Sequence, residues 1–237
     1  LFYRSIHYRK YYVGYRRGQY NTKDILSLNK MGWMVGLQMG LETALFSISG
    51  IMIGWLGSIA LAAHQIMIAI STLGFMIYYG VGAAVSVRVS NFYGRGDITN
   101  VKRSTMAGFH IMLCLVLIAS TIFFFAQDVI GILFTTSPEV ISLVSSLIII
   151  LMIYQFGDAL QIIYANSLRG IGDVISMAII SFIGYFLLAM PVCYICGFIL
   201  NLGITGIWIG YPVGLTLTGI MLCGRYYWKL KNWRLFR

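Results

Sequence analysis

Residues 104–126, Ser-Thr-Met-Ala-Gly-Phe-His-Ile-Met-Leu-Cys-Leu-Val-Leu-Ile-Ala-Ser-Thr-Ile-Phe-Phe-Phe-Ala, form a continuous stretch without a single Asp, Glu, Lys or Arg. A hydrocarbon layer roughly 30 Å thick is crossed by about 20 helical residues, so this stretch is long enough to span a membrane. It predicts a helix rather than a barrel strand. It lacks apolar and polar alternation, and a lone span in lipid must bond every backbone group within itself. Five further predominantly apolar stretches of spanning length lie at about 32–56, 60–87, 139–165, 174–198 and 203–226. The whole chain agrees: 59% of its 237 residues are hydrophobic, 10% are charged and the mean hydropathy is +0.83, more apolar surface than a soluble domain can bury. The expected fold class is therefore an all-α membrane protein with six transmembrane helices.

Local chemistry marks the ends and faces of these spans. Ser137, Pro138 and Glu139 read as an N-cap, a proline at the first helical position and an acid in the first turn, while Gly57, Gly94 and Gly170 fall where spans end. Gly32, Gly36 and Gly40 form a small-residue ridge suited to close helix packing, and Gly206, Gly210 and Gly214 repeat it in the last span. Pro191 and Pro212 are expected to kink the fifth and sixth spans. Trp33, Trp55, Trp208 and Trp228 lie near span ends, where indoles favour the lipid–water boundary.

The basic residues predict orientation. Seven of the 17 Lys and Arg precede the first span, and the others fall in the second connection, the fourth connection (Arg169) and the tail. The remaining connections carry none, so the positive-inside rule places both termini in the cytoplasm. Residues 1–30 read as a basic cytoplasmic segment like an interdomain connection, 31–228 as the six-helix unit and 229–237 as a basic tail. Together with a first residue that is not Met, this predicts a partial chain. The net charge of +10 is spread over connections rather than gathered on one face, so no nucleic-acid partner is expected; the bilayer is the expected partner.

Cys193 and Cys196 match C-x-x-C but lie in an apolar helix without neighbouring His or acid, and are read as small buried hydrophobes. Arg95-Gly96-Asp97 is read as a turn, and Gly94-Arg95-Gly96-Asp97 faintly echoes Gly170-Ile171-Gly172-Asp173.

Two carboxylates, Glu42 and Asp158, fall inside spans with no basic residue expected beside them. A charge at mid-membrane costs about 2.5–3.5 kcal/mol or more, so such residues ordinarily face a protein interior or watery cavity and bind a proton, an ion or a partner. At 100° per residue Gln38 and Glu42 point away from the glycine ridge, and Tyr154, Asp158, Gln161 and Ala165 share one face of the fourth span. Tyr78, Tyr79, Phe156 and Tyr164 are further candidates to offer ring faces to a cationic substrate.

The segment Gly36-Leu37-Gln38-Met39-Gly40-Leu41-Glu42, the run Ala60 to Gln65 with Gly80, Gly82 and Arg88, and Tyr154-Gln155-Phe156-Gly157-Asp158-Ala159-Leu160-Gln161 with Leu168-Arg169-Gly170 resemble the multidrug and toxic compound extrusion family. The likeness is to the second half of its bacterial, sodium-coupled-like branch. It implies a carboxy-terminal six-helix lobe of a twelve-helix, two-lobe exporter in the inner cell membrane. Residues 1–30 would then join the lobes, with the amino-terminal lobe as the missing partner. It implies efflux of small cationic or amphiphilic drugs in exchange for Na+ or H+ by alternating access, with no cofactor beyond the coupling ion. Glu42, Tyr154 and Asp158 would hold that ion, as an Na+ site where the ion is sodium, and Gln38, Gln161, Tyr78, Tyr164 and Phe156 would line the substrate cavity. His64 and Gln65 match a recurrent pair, with His64 read as packing or as a bonded cap, and Tyr78 stands where relatives often carry proline. Two rivals are a lipid-linked oligosaccharide flippase, expected to place basic residues in its cavity, and a non-transporting scaffold lobe. An enzyme would need a nucleophile with a base or a metal cluster, which the sequence does not offer.

Overall fold

A computed structural model describes residues 21–233. Six helices long and apolar enough to cross a membrane follow one another: α1 Thr22–Gly54, α2 Ser58–Gly94, α3 Ile98–Ile130, α4 Pro138–Gly170, α5 Val174–Ile199 and α6 Gly203–Lys231. The six expected spans are all present in order, but their ends run further. Helix α1 begins at Thr22, where the Asn21 side chain accepts from the Lys23 N–H at 3.1 Å, so residues 22–30 of the basic segment are already helical. Arg88, Lys102 and Arg103, expected in a connection, also lie in helices. An α-helix satisfies its own backbone, so it can continue beyond the apolar stretch that hydropathy detects. The rest of the basic segment, residues 1–20, and tail residues 234–237 lie outside the described residues.

The α2–α3 and α4–α5 turns share one construction. In the first, the Asp97 N–H donates to Phe92 O and the Gly96 N–H to Tyr93 O; in the second, Asp173 and Gly172 donate to Leu168 O and Arg169 O. Both are Schellman endings, with Gly96 and Gly172 at φ +75° and the following Asp at the start of the next helix. The sequence echo is thus a repeated turn, and Arg95-Gly96-Asp97 belongs to it. Ser137 precedes Pro138 as expected but makes no side-chain cap bond; its own N–H donates to Thr135 Oγ1.

Helix α4 is the hub, packing against α6, α2 and α3, while α1 is held mainly by α5. The interior divides into two apolar clusters. One joins Leu45, Ile53, Met67, Leu147, Trp208 and Tyr211; the other joins Val85, Met112, Ile163, Leu168 and Tyr226. On α4, Gln155 and Asp158 fall between Tyr154 of the first cluster and Ala159 of the second. Trp208 belongs to the first cluster and is fully buried, so it is a core residue rather than an interfacial anchor; Trp33, Trp55 and Trp228 are exposed. Helix α5 is wound as π-helix over Ile183–Ala189 and Ile195–Ile199, on either side of the turn containing Pro191, whereas α6 continues through Pro212.

The two glycine ridges behave differently. A Cβ on Gly206 would lie 2.8 Å from Gly197 N, and one on Gly210 would lie 2.9 Å from Cys193 N, so α6 meets α5 backbone to backbone. Cys193 is buried there and its thiol donates to Ile207 O at 3.3 Å, and all four cysteines are free. Gly32, Gly36 and Gly40 meet nothing within 4 Å, so this ridge, expected to pack, is open among the described residues. Gly206→Ala is expected to destabilise the protein by about 1–3 kcal/mol, because backbone rather than a flexible side chain must yield. Gly36→Ala should not lower the melting temperature of the six-helix chain by itself in detergent, which makes it the control.

Candidate functional site

Helix α1 turns Gln38 and Glu42, four residues apart, to the same side. The Gln38 Nε2 donates to Glu42 Oε2 at 3.2 Å, and the Tyr185 hydroxyl of α5 donates to the same oxygen at 3.4 Å. Glu42 sits where two cavities meet. The larger, about 750 Å³, opens between α1 and α2 and is lined by Thr43, Ser47, Gly50, His64, Gln65 and Phe75, with Tyr154 of α4 in its wall. Glu42 is the only Asp, Glu, Lys or Arg among its lining residues. The smaller, about 20 Å³, lies toward the α4–α5 turn and is lined by Gln38, Glu42, Tyr79, Gln161, Asn166 and Arg169 among others.

Asp158 follows Tyr154 by one helical turn and is 1% exposed. Its Oδ1 is buried without a hydrogen-bond partner, and so is Gln161 Oε1 on the same face. Buried acceptors in this state call for a proton, a cation or an ordered water. Gly157 lets α6 approach at this level: a Cβ there would stand 3.1 Å from Thr216 N. Among the described residues no group of three His, Cys, Asp or Glu side chains could hold a metal ion, so any cation held here also takes oxygens from Tyr or Gln.

Of the residues expected in the site, Glu42 and Tyr154 share the cleft and Gln38 and Gln161 share the smaller cavity with Glu42, whereas Asp158, buried on α4 one turn after Tyr154, lines neither cavity. Three others are placed elsewhere. Tyr78 is buried and donates to Gln155 Oε1, Tyr164 stacks near Tyr226 and Tyr227 at ring distances of 5.7 and 6.1 Å, and Phe156 is exposed. None of these three lines either cavity. On a buried helix an aromatic face meets core as readily as cavity, which explains the difference. His64 is not a bonded cap: it is 1% exposed, its ring lies 5.8 Å from that of Trp208, and neither nitrogen has a partner.

Arg169, expected in a cytoplasmic connection, occupies the last turn of α4 with its side chain lining the smaller cavity. Tyr185 was missed as well; its only signal was a hydroxyl inside an apolar span.

Asp173, just outside the membrane spans, ties the α4–α5 turn to α6. Its Oδ2 lies 2.8 Å from Arg225 Nε and 3.5 Å from Lys229 Nζ, and its Oδ1 accepts from Ser176 at 2.9 Å. Burial raises the Asp173 pKa, but the hydrogen bonds from Arg225 and Ser176 and the nearby positive charges outweigh it, leaving the carboxyl below its ordinary range. A depressed folded-state pKa contributes stability above the unfolded value of about 3.9 and loses it as pH falls through the folded value. Asp173→Asn should therefore cost about 1–2 kcal/mol at pH 7. The gap in melting temperature between the variant and the unmodified protein should close below about pH 4.

A profile described as MatE matches residues 35–195. The chain belongs to the MatE family. The MatE relatives include the multidrug resistance protein NorM of Photobacterium profundum, 36% identical over 210 residues, which cover 87% of this chain and 46% of NorM. The multidrug resistance protein MdtK of Photorhabdus laumondii is 32% identical, covering 86% and 46%. Among solved structures the fold matches the eukaryotic MATE transporter AtDTX14 (TM-score 0.79, 22% identity, 86% of this chain and 47% of that one). It also matches the Vibrio cholerae MATE transporter VcmN in its bent form (TM-score 0.79, 17% identity, 86% and 46%). The chain thus spans about half the length of the curated MatE relatives it matches, and its six helices form a single multi-pass membrane lobe.

Proposed function

We propose that this chain is the carboxy-terminal lobe of a multidrug efflux antiporter, exporting small cationic amphiphiles in exchange for Na+ or H+. The observation that carries the reading is the pair of buried acceptors on one face of α4, Asp158 Oδ1 and Gln161 Oε1, left without partners, with Gln161 lining the same small cavity as Glu42. An acceptor-rich, membrane-embedded site of this kind suits a proton on Asp158 or a sodium ion held by oxygens of Glu42, Asp158, Tyr154 and Gln161. Glu42 lies at the meeting of a wide cleft and a narrow one, which suits a residue exposed to the two sides in turn. The lone acid in a largely apolar cleft favours a cationic cargo. It counts against the flippase reading, since the one basic residue nearby, Arg169, faces the smaller cavity. The open Gly32-Gly36-Gly40 ridge and the half-length match to relatives support a second six-helix lobe as partner. The basic connections support cytoplasmic termini in the inner membrane.

The test is dye efflux from proteoliposomes holding the two lobes together, under an imposed sodium gradient at fixed pH and then a pH gradient at fixed sodium. Acceleration by one gradient identifies the ion; indifference to both rejects the reading. Cysteines placed at Ser58 and Asn201 should label from outside intact cells and one at Asn100 should not, whereas the reverse pattern overturns the orientation.

A further inference from the structure

We infer that Arg169 is a tethered counter-cation that competes with the coupling ion for Glu42. The inference rests on the antiport reading above and extends it to a residue that reading leaves idle. Arg169 lines the smaller cavity with Gln38, Glu42 and Gln161, and the cavity, about 20 Å³, holds roughly one water. Its guanidinium is poorly satisfied where it stands. Nη1 donates to Tyr79 Oη at 3.4 Å and to Asn166 Oδ1 at 3.3 Å, both neutral and both long, while Nε is buried with no partner. Among the described residues no carboxylate lies within ion-pair distance of it; the ion pairs of this kind are those of Arg225 and Lys229 with Asp173.

An arginine has five N–H donors in a planar fork made for a carboxylate. The carboxylate that shares its cavity is Glu42. Gln38 lines the same cavity, and its amide already donates to Glu42 Oε2. A neutral amide is a weaker partner than a guanidinium, so a shift of Gln38 lets Arg169 take its place on the carboxylate. Two exclusive arrangements result. With the ion on Glu42, Arg169 rests on Tyr79 and Asn166. After the ion leaves, Arg169 neutralises Glu42, so the return step made with cargo does not also carry a bare buried charge.

The variants that test this are Arg169→Gln and Arg169→Lys, made in the two-lobe transporter and assayed with whichever ion drives dye efflux by the unmodified protein. Removing the competing charge should lower the concentration of that ion at half-maximal efflux by about tenfold or more and slow maximal turnover, because release of the ion loses its replacement. Arg169→Lys should restore most of both values. A residue serving only to finish α4 would change expression or melting temperature and leave the half-saturating concentration alone. An unchanged half-saturating concentration in a folded Arg169→Gln variant overturns the inference while the antiport reading stands. Absence of any ion dependence in the unmodified protein overturns both.

Discussion

Asp158→Asn should abolish the response of dye efflux to the coupling gradient, a loss of about a hundredfold or more, while expression and melting temperature stay near normal. The substitution keeps shape and hydrogen-bonding capacity but removes the group able to carry a negative charge. It also supplies an amide that can donate to Gln161 Oε1, so the two partnerless acceptors would be satisfied without an ion. A merely structural Asp158 predicts the opposite balance, a protein still responsive to the gradient. Glu42→Gln should behave similarly, because both hydrogen bonds reaching Oε2, from Gln38 and Tyr185, come from neutral donors and its charge is what a cation would sense. Tyr154→Phe removes one oxygen and no charge, and its effect should be several times smaller.

Ser47→Trp should block cargo without disturbing the ion. Ser47 is exposed on the wall of the 750 Å³ cleft, so an indole there fills space instead of displacing core. Dye affinity should fall by more than about tenfold, equivalent to about 1.4 kcal/mol, whereas the variant's affinity for the coupling ion should match that of the unmodified protein. Phe156→Ala is the matching control, since Phe156 lies outside both cavities and its loss should leave dye affinity unchanged. Equal losses in both variants would mean that the cleft between α1 and α2 is not where cargo binds.

The number, order and character of the helices were legible because hydropathy and the spacing of glycine and charge are properties of a single strand of sequence. Gln38 with Glu42, and Tyr154 with Asp158 and Gln161, were legible for the same reason: each set lies on one face of one regular helix. Arg169 was not, because its position at the end of α4 suggested the aqueous turn, and only the packing of α2 against α4, with α1 across the cavity from them, encloses its side chain. Tyr185 lies in the first π-helical stretch of α5, where a 100° step no longer assigns faces. Trp208 and Tyr164 went into the core because aromatic residues near span ends or on polar helices carry no mark that separates interface or cavity from packing. The Gly32 ridge reads the same as the Gly206 ridge; only the neighbour each meets distinguishes them.

Direct binding of the coupling ion tests the central claim, that Glu42 and Asp158 form its site. Equilibrium binding of radioactive sodium to the purified two-lobe protein, with proton release followed in the same sample by a pH indicator, reads both candidate ions at once. The account predicts a saturable sodium or proton signal in the unmodified protein that persists in Ser47→Trp and disappears in both Asp158→Asn and Glu42→Gln. An undiminished signal in both carboxamide variants would contradict it and place the ion elsewhere.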